Sequence, residues 1–200
     1  MRGKPCRDRG QSLPLFIWIS GMLLFVAFAF FAFAQAAVAR NGAQSAADAA
    51  ALAAAQESRL VLADGLIDSI GDSDQWLDWL NAEPVAGEGT EVEAGRLASL
   101  NGAEIVDFRA ESRKGLPAFW VRVQSLSPVG DSVIPGTEST KAKAEAVAAV
   151  EPRCEMDEGI NPEEEVAFRC GGELHVIDPD DFEHSDFPEV AEMFAARLVG

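Results

Sequence analysis

The only two histidines, His175 and His184, flank the acidic stretch VIDPDDFEHSD, so a metal set of His175, Asp178, Asp180, Asp181 and His184 can be drawn. Carboxylates suit Ca²⁺ and imidazoles suit transition metals. The spacing matches no standard loop, however, and lacks the central glycine that an EF-hand needs for its sharp turn. A solvated acidic turn is the expectation, with no metal and no cofactor. Serine or cysteine nucleophiles need an oriented base beside them, and no G-x-S-x-G or comparable context occurs. Carboxylates are abundant enough to draw glycosidase pairs anywhere, and abundance is no evidence for one. The expectation is a protein that is not an enzyme.

Cysteine usage carries a structural message instead. Cys6 lies in the basic N-terminal tip, while Cys154 and Cys170 stand alone in the remainder of the chain. If that remainder lies outside the cytoplasm, a Cys154–Cys170 disulfide follows, closing a short loop. Two cysteines this far apart do not suggest zinc. The tryptophans of QWLDWLN, Trp76 and Trp79, could serve an adhesive face, a membrane interface or a core; the last two are favoured.

The elements that must position these residues begin with an apolar run. Residues 13–38 hold no ionisable side chain, and only Ser20 and Gln35 are clearly polar. At 1.5 Å per residue the run exceeds the roughly 30 Å of a bilayer's hydrocarbon. It is too long for the h-region of a secretory signal peptide, although AFAQA loosely offers an A-x-A-like cleavage site; a retained anchor is expected. Arg2, Lys4, Arg7 and Arg9 precede the run against the single acid Asp8. The positive-inside rule then puts the N-terminus in the cytoplasm and the rest outside. With Asp8 and those four bases plus Arg40 set aside, residues 41–200 hold 32 of the 33 acids and 11 of the 16 bases, a balance near −21. Such charge argues against nucleic acid as a partner and disfavours anionic lipid headgroups, and its plainest consequence is solubility through mutual repulsion.

From residue 40 the chain is dominated by alanine, the best helix former, with Leu52, Leu60, Leu62, Leu66, Ile67 and Ile70 as an apolar stripe. No proline interrupts residues 15–83, so the membrane helix is expected to continue to about Ile70, with Gly42, Gly65 and Gly71 as places to bend or stop. QWLDWLN reads as a short helix, and residues 91–100 as another, stopped by Asn101-Gly102. The period then changes to two. Ile105, Phe108 and Ala110 begin a strand, and Phe119, Val121 and Val123 alternate with Trp120, Arg122 and Gln124 in a second, which together predict a β-hairpin. The alanines of KAKAEAVAAVEP favour a helix, but Ala142, Ala144, Ala146 and Ala148 alternate as in a third strand, the preferred reading; ELHVID suggests a short strand, and Val190, Met193, Phe194, Arg197 and Leu198 a terminal helix. The fold class is thus α+β. Its expected parts are a basic tip (1–12), a transmembrane helix (13–39), an Ala-rich helix (40–71) and an acidic domain with an antiparallel sheet (72–200).

RDRGQSLPLF at residues 7–16 and NGAQSAADAAALAAAQ at residues 41–56 together resemble the TadE/TadG-like group of pilus-assembly proteins. In that group a short basic N-terminus precedes one transmembrane helix and an AADAAALA segment, here Ala46, Ala47, Asp48, Ala49, Ala50, Ala51 and Leu52. The resemblance covers about the first 60 residues, with a weaker echo in the order helix, Asn-Gly, hairpin and alanine strand. It implies a pilin-like fold and a bacterial pseudopilin or accessory component of a tight-adherence (Flp) pilus or secretion system. The implied partners are the lipid bilayer and other subunits, met through the N-terminal helix, whose small residues such as Gly21, Ala27, Ala29 and Ala32 allow close helix approach. Arg9-Gly10-Gln11 resembles a prepilin-peptidase site, which would cut between Gly10 and Gln11. The glutamate such precursors carry at the fifth mature position is replaced by Leu15. Against this reading stands an anchored extracellular module that binds a protein or a cation and shares only the N-terminal architecture.

Overall fold

The computed structural model describes residues 12–71, 75–84, 87, 89–128, 139–156 and 166–200. One helix, α1 (Ser12–Ser69), runs through the whole N-terminal part of the described chain, about 87 Å at 1.5 Å per residue. Gly42 and Gly65 lie inside it without ending it, and the turn at Gly71, with φ of +91°, follows its end in the left-handed region that a side chain resists. Two short helices follow, α2 (Gln75–Leu80) and α3 (Thr90–Leu100). Thr90 is fully buried and donates its hydroxyl to the Gly87 carbonyl at 2.7 Å, while the Asn101 side-chain amide donates to the Leu97 carbonyl at the other end of α3. On α3, Arg96 donates to Glu93 three residues earlier and holds that carboxyl below its ordinary pKa, chiefly through the hydrogen bond.

The main sheet is antiparallel in the order β1-β2-β3-β7, with β1 (Ala103–Arg113), β2 (Leu116–Pro128), β3 (Lys141–Pro152) and β7 (Phe194–Leu198). The expected alternation holds: Phe119, Val121 and Val123 of β2 are fully buried, and their partners across β3 are Ala148, Ala146 and Ala144. Against this inner face lies α1, which packs on β2, β3 and β7 on one side and on α3 on the other. A bulge between Ile105 and Asp107 of β1 resets the alternation so that Phe108 meets Val121 and stacks on Phe119 at 6.2 Å. The outer face is polar. There Trp120 sits between the guanidinia of Arg109 and Arg122, at 4.6 and 4.7 Å from its ring centre, and Arg122 pairs with Glu145 across the ladder.

A second sheet, β4-β5-β6, comprises β4 (Cys154–Met156), β5 (Val166–Cys170) and β6 (Glu173–Ile177). Only β6 is anticipated by the sequence pattern. A 3-10 turn (His184–Asp186) and a one-turn helix α4 (Val190–Met193) lead into β7. The terminal helix expected through Leu198 therefore stops at Met193. Residues 194–198 instead pair with residues 148–152 of β3, from Pro152↔Phe194 to Ala148↔Leu198. An open β3 edge has backbone groups to satisfy, and Phe194 becomes fully buried in doing so, which outweighs the modest helix propensity of Ala195, Ala196 and Arg197.

Candidate functional site

Helix α1 has two halves that face different surroundings. Between residues 13 and 38 sixteen large apolar side chains are exposed, among them Phe16 (72%), Trp18 (77%) and Phe33 (80%). At about 1.5–3 kcal/mol for each such side chain removed from water, their burial is worth tens of kcal/mol. No described residue of the chain covers them. The segment is long and apolar enough to cross a membrane.

The second half does the opposite. Ala43 is buried, and Ala46, Ala47, Ala50, Ala51, Ala54 and Ala55 are each completely or nearly so. Steps of three and four residues continue that stripe through Ser58 and Leu62 to Leu66, all fully buried. A stripe this wide reflects contact on two sides, with the sheet and with α3. Alanine at these positions, facing the alanines of β3, lets the helix axis approach the sheet closely, and Asp48 and Ala49 sit half-buried at the margin. The amide of Gln44 donates to Asp48 at 2.8 Å and to the Glu145 carbonyl of β3 at 3.3 Å, tying the start of this half to the sheet. Leu52 is half-buried against the same core. The AADAAAL segment is therefore a packing surface of the domain.

The remaining expected sites take structural roles. Cys154 and Cys170 are bonded, stand opposite one another on β4 and β5, and are both buried. The link closes 16 residues of chain, worth about 3 kcal/mol by loop-entropy reasoning. His175 of β6 stacks on Phe168 at 5.8 Å, Asp178 accepts from the Asp180 amide at 3.0 Å, and His184 lies in the 3-10 turn. Among the described residues no three histidine, cysteine or acidic side chains are grouped to hold a metal. Trp76 is fully buried, and the Trp79 ring lies against Gly65 of α1 so closely that a Cβ there would overlap it. Both tryptophans thus pack in or against the core. Gly10 and Gln11 lie outside the described residues.

Residues 10–57 match the model of the Tad family, described as Flp pilus-assembly TadE/G-like. That segment of the chain is similar to the TadE/G-like family. Its bounds straddle the two halves of α1, taking in the whole exposed apolar run and the alanine stripe up to Glu57. The resemblance read from residues 7–16 and 41–56 falls on the same part of the chain. No curated protein and no solved structure matches the sequence.

Proposed function

We propose that this chain is a non-enzymatic, membrane-anchored component of a Tad/Flp-type pilus assembly or secretion system, pseudopilin-like or accessory. The first half of α1 crosses the membrane once, with the basic tip in the cytoplasm and the acidic domain outside. The observation that carries the reading is the single unbroken helix whose exposed apolar half runs directly into the domain's core, within one TadE/G-like segment. Such a helix has no hinge between anchor and domain, so the domain follows any movement of the anchor as a rigid extension of it. A subunit that associates with others through its membrane helix would transmit that association to its outer domain. The basic tip and the disulfide support the orientation, since arginine-rich flanks stay inside and disulfides persist in oxidising compartments.

Crosslinking in native membranes tests the assembly role. A photo-crosslinker at Gly21 or Ala29 should capture the helices of other pilus-system subunits. Crosslinks to lipid alone, with a ligand captured by the outer domain instead, would turn the reading towards an anchored binding module. Intact mass of the protein from native membranes tests processing: loss of the first ten residues would show a cut between Gly10 and Gln11, and full-length mass a permanently anchored chain.

A further inference from the structure

The end of the domain nearest the apolar run is built from the Asn101-Gly102 stop of α3, the close of β2 and the start of β3. These meet α1 at a shallow cleft of about 180 Å³ whose lining includes Ala39, Gly42, Gly102, Ser125 and Pro128. The Leu126 amide donates to the Gly102 carbonyl at 2.8 Å, and Lys141 stands opposite Pro128 and pairs with Glu104, so these residues share one end of the molecule. Two leucines there are turned to solvent, Leu100 at 69% and Leu126 at 49% exposure. The same end carries Arg40, Lys141 and Lys143; Glu104 pairs with Lys141, and Glu145, two residues beyond Lys143 on β3, pairs with Arg122. Residues 41–200 carry a balance near −21, and these bases, with Arg40 just before them, are gathered at one end.

The distance along α1 fixes where this end lies. The apolar run ends at Val38 and the first fully enclosed residue is Ala43, only about 7.5 Å further along the helix. A headgroup layer is about 5–8 Å thick on each side of the hydrocarbon. The base of the domain therefore starts where the headgroups are.

We infer that this base is a second membrane contact, resting on the outer leaflet with Leu100 and Leu126 inserted at the acyl boundary and Arg40, Lys141 and Lys143 against lipid phosphates. The inference rests on the transmembrane reading of α1. Exposed leucines and cations at one end of the molecule, beside the apolar run, are the composition of an interfacial contact, which buries its apolar side chains about 5–10 Å deep. The overall acidity opposes it little, because at physiological salt charges more than about 8 Å away are largely screened and the nearby acids Glu104 and Glu145 are paired with Lys141 and Arg122. Docking at two places would fix the tilt of α1, so that the outer domain faces its neighbours in one orientation.

The test uses the full chain with Cys6→Ser, oxidised at Cys154–Cys170, in vesicles of equal parts phosphatidylcholine and phosphatidylglycerol. An environment-sensitive dye is placed in turn at Leu100→Cys, Leu126→Cys, Phe25→Cys in mid-span and Val176→Cys on β6, and quenched by lipid-borne spin labels. The expected result is quenching at Leu100→Cys and Leu126→Cys several-fold above that at Val176→Cys, and weaker when phosphatidylcholine is the only lipid. Quenching at Phe25→Cys alone would overturn the inference and leave the anchor standing. No quenching at Phe25→Cys would remove the anchor itself, and this inference with it.

Discussion

Single side chains in this protein reveal which of two opposed effects dominates. Replacing Gly65 by alanine would gain about 1 kcal/mol of helix propensity, yet the new methyl would overlap the Trp79 ring, and overpacking costs about 1–3 kcal/mol. Gly65→Ala should therefore lower the stability of the domain, read by thermal unfolding of the detergent-solubilised chain; a rise would mean that the tryptophan moves aside freely. Ser58 gives the reverse case. Its hydroxyl is fully buried with no hydrogen-bond partner among the described residues, and such a group costs about 1–3 kcal/mol. Ser58→Ala should be neutral or stabilising in the same measurement. At Glu93 the carboxylate is favoured by Arg96, so whatever stability the pair contributes is present above the ordinary carboxylate pKa and is lost as pH falls through the lowered one. Both side chains face solvent, and the contribution is small.

The elements differ in how openly the sequence announces them. Length, the absence of proline and the alanine content suffice for α1, and the period-two alternation suffices for β2; in β1 a bulge between Ile105 and Asp107 interrupts the period, and in β3 the alternation competes with the helix propensity of its alanines. The second sheet escapes: β4 has three residues and β5 has five, too few for a period to emerge. β7 escapes for another reason, since Phe194–Leu198 carries helix-forming residues whose fate is decided by the unpaired edge of β3, a partner more than forty residues away. The disulfide was legible from compartment and count. The packing role of Ala46, Ala47, Ala50 and Ala51 was not, because alanine marks helix propensity and close approach alike. Enlarging one of them separates the two: Ala50→Leu changes propensity little, but should cost about 1–3 kcal/mol or more by forcing α1 away from its neighbours. An undiminished unfolding temperature would mean that the helix does not lie so close. Reducing Cys154–Cys170 should cost about 3 kcal/mol, seen as a lower midpoint in denaturant with reductant present.

In the whole molecule a single helix belongs to two environments. The exposed half needs an apolar surrounding, the buried half is the core of a charged domain, and the TadE/G-like match spans both. The charge asymmetry of the chain supplies the proposed direction, with the basic tip inside and the acidic bulk outside. The most direct measurement is protease accessibility in intact spheroplasts, followed by mass spectrometry of what survives in the membrane. The outer domain should be digested while a fragment containing residues 13–38 is protected together with the basic tip. Survival of the whole chain until the membrane is lysed would place the domain on the other side, and digestion of residues 13–38 along with the rest would contradict the anchor.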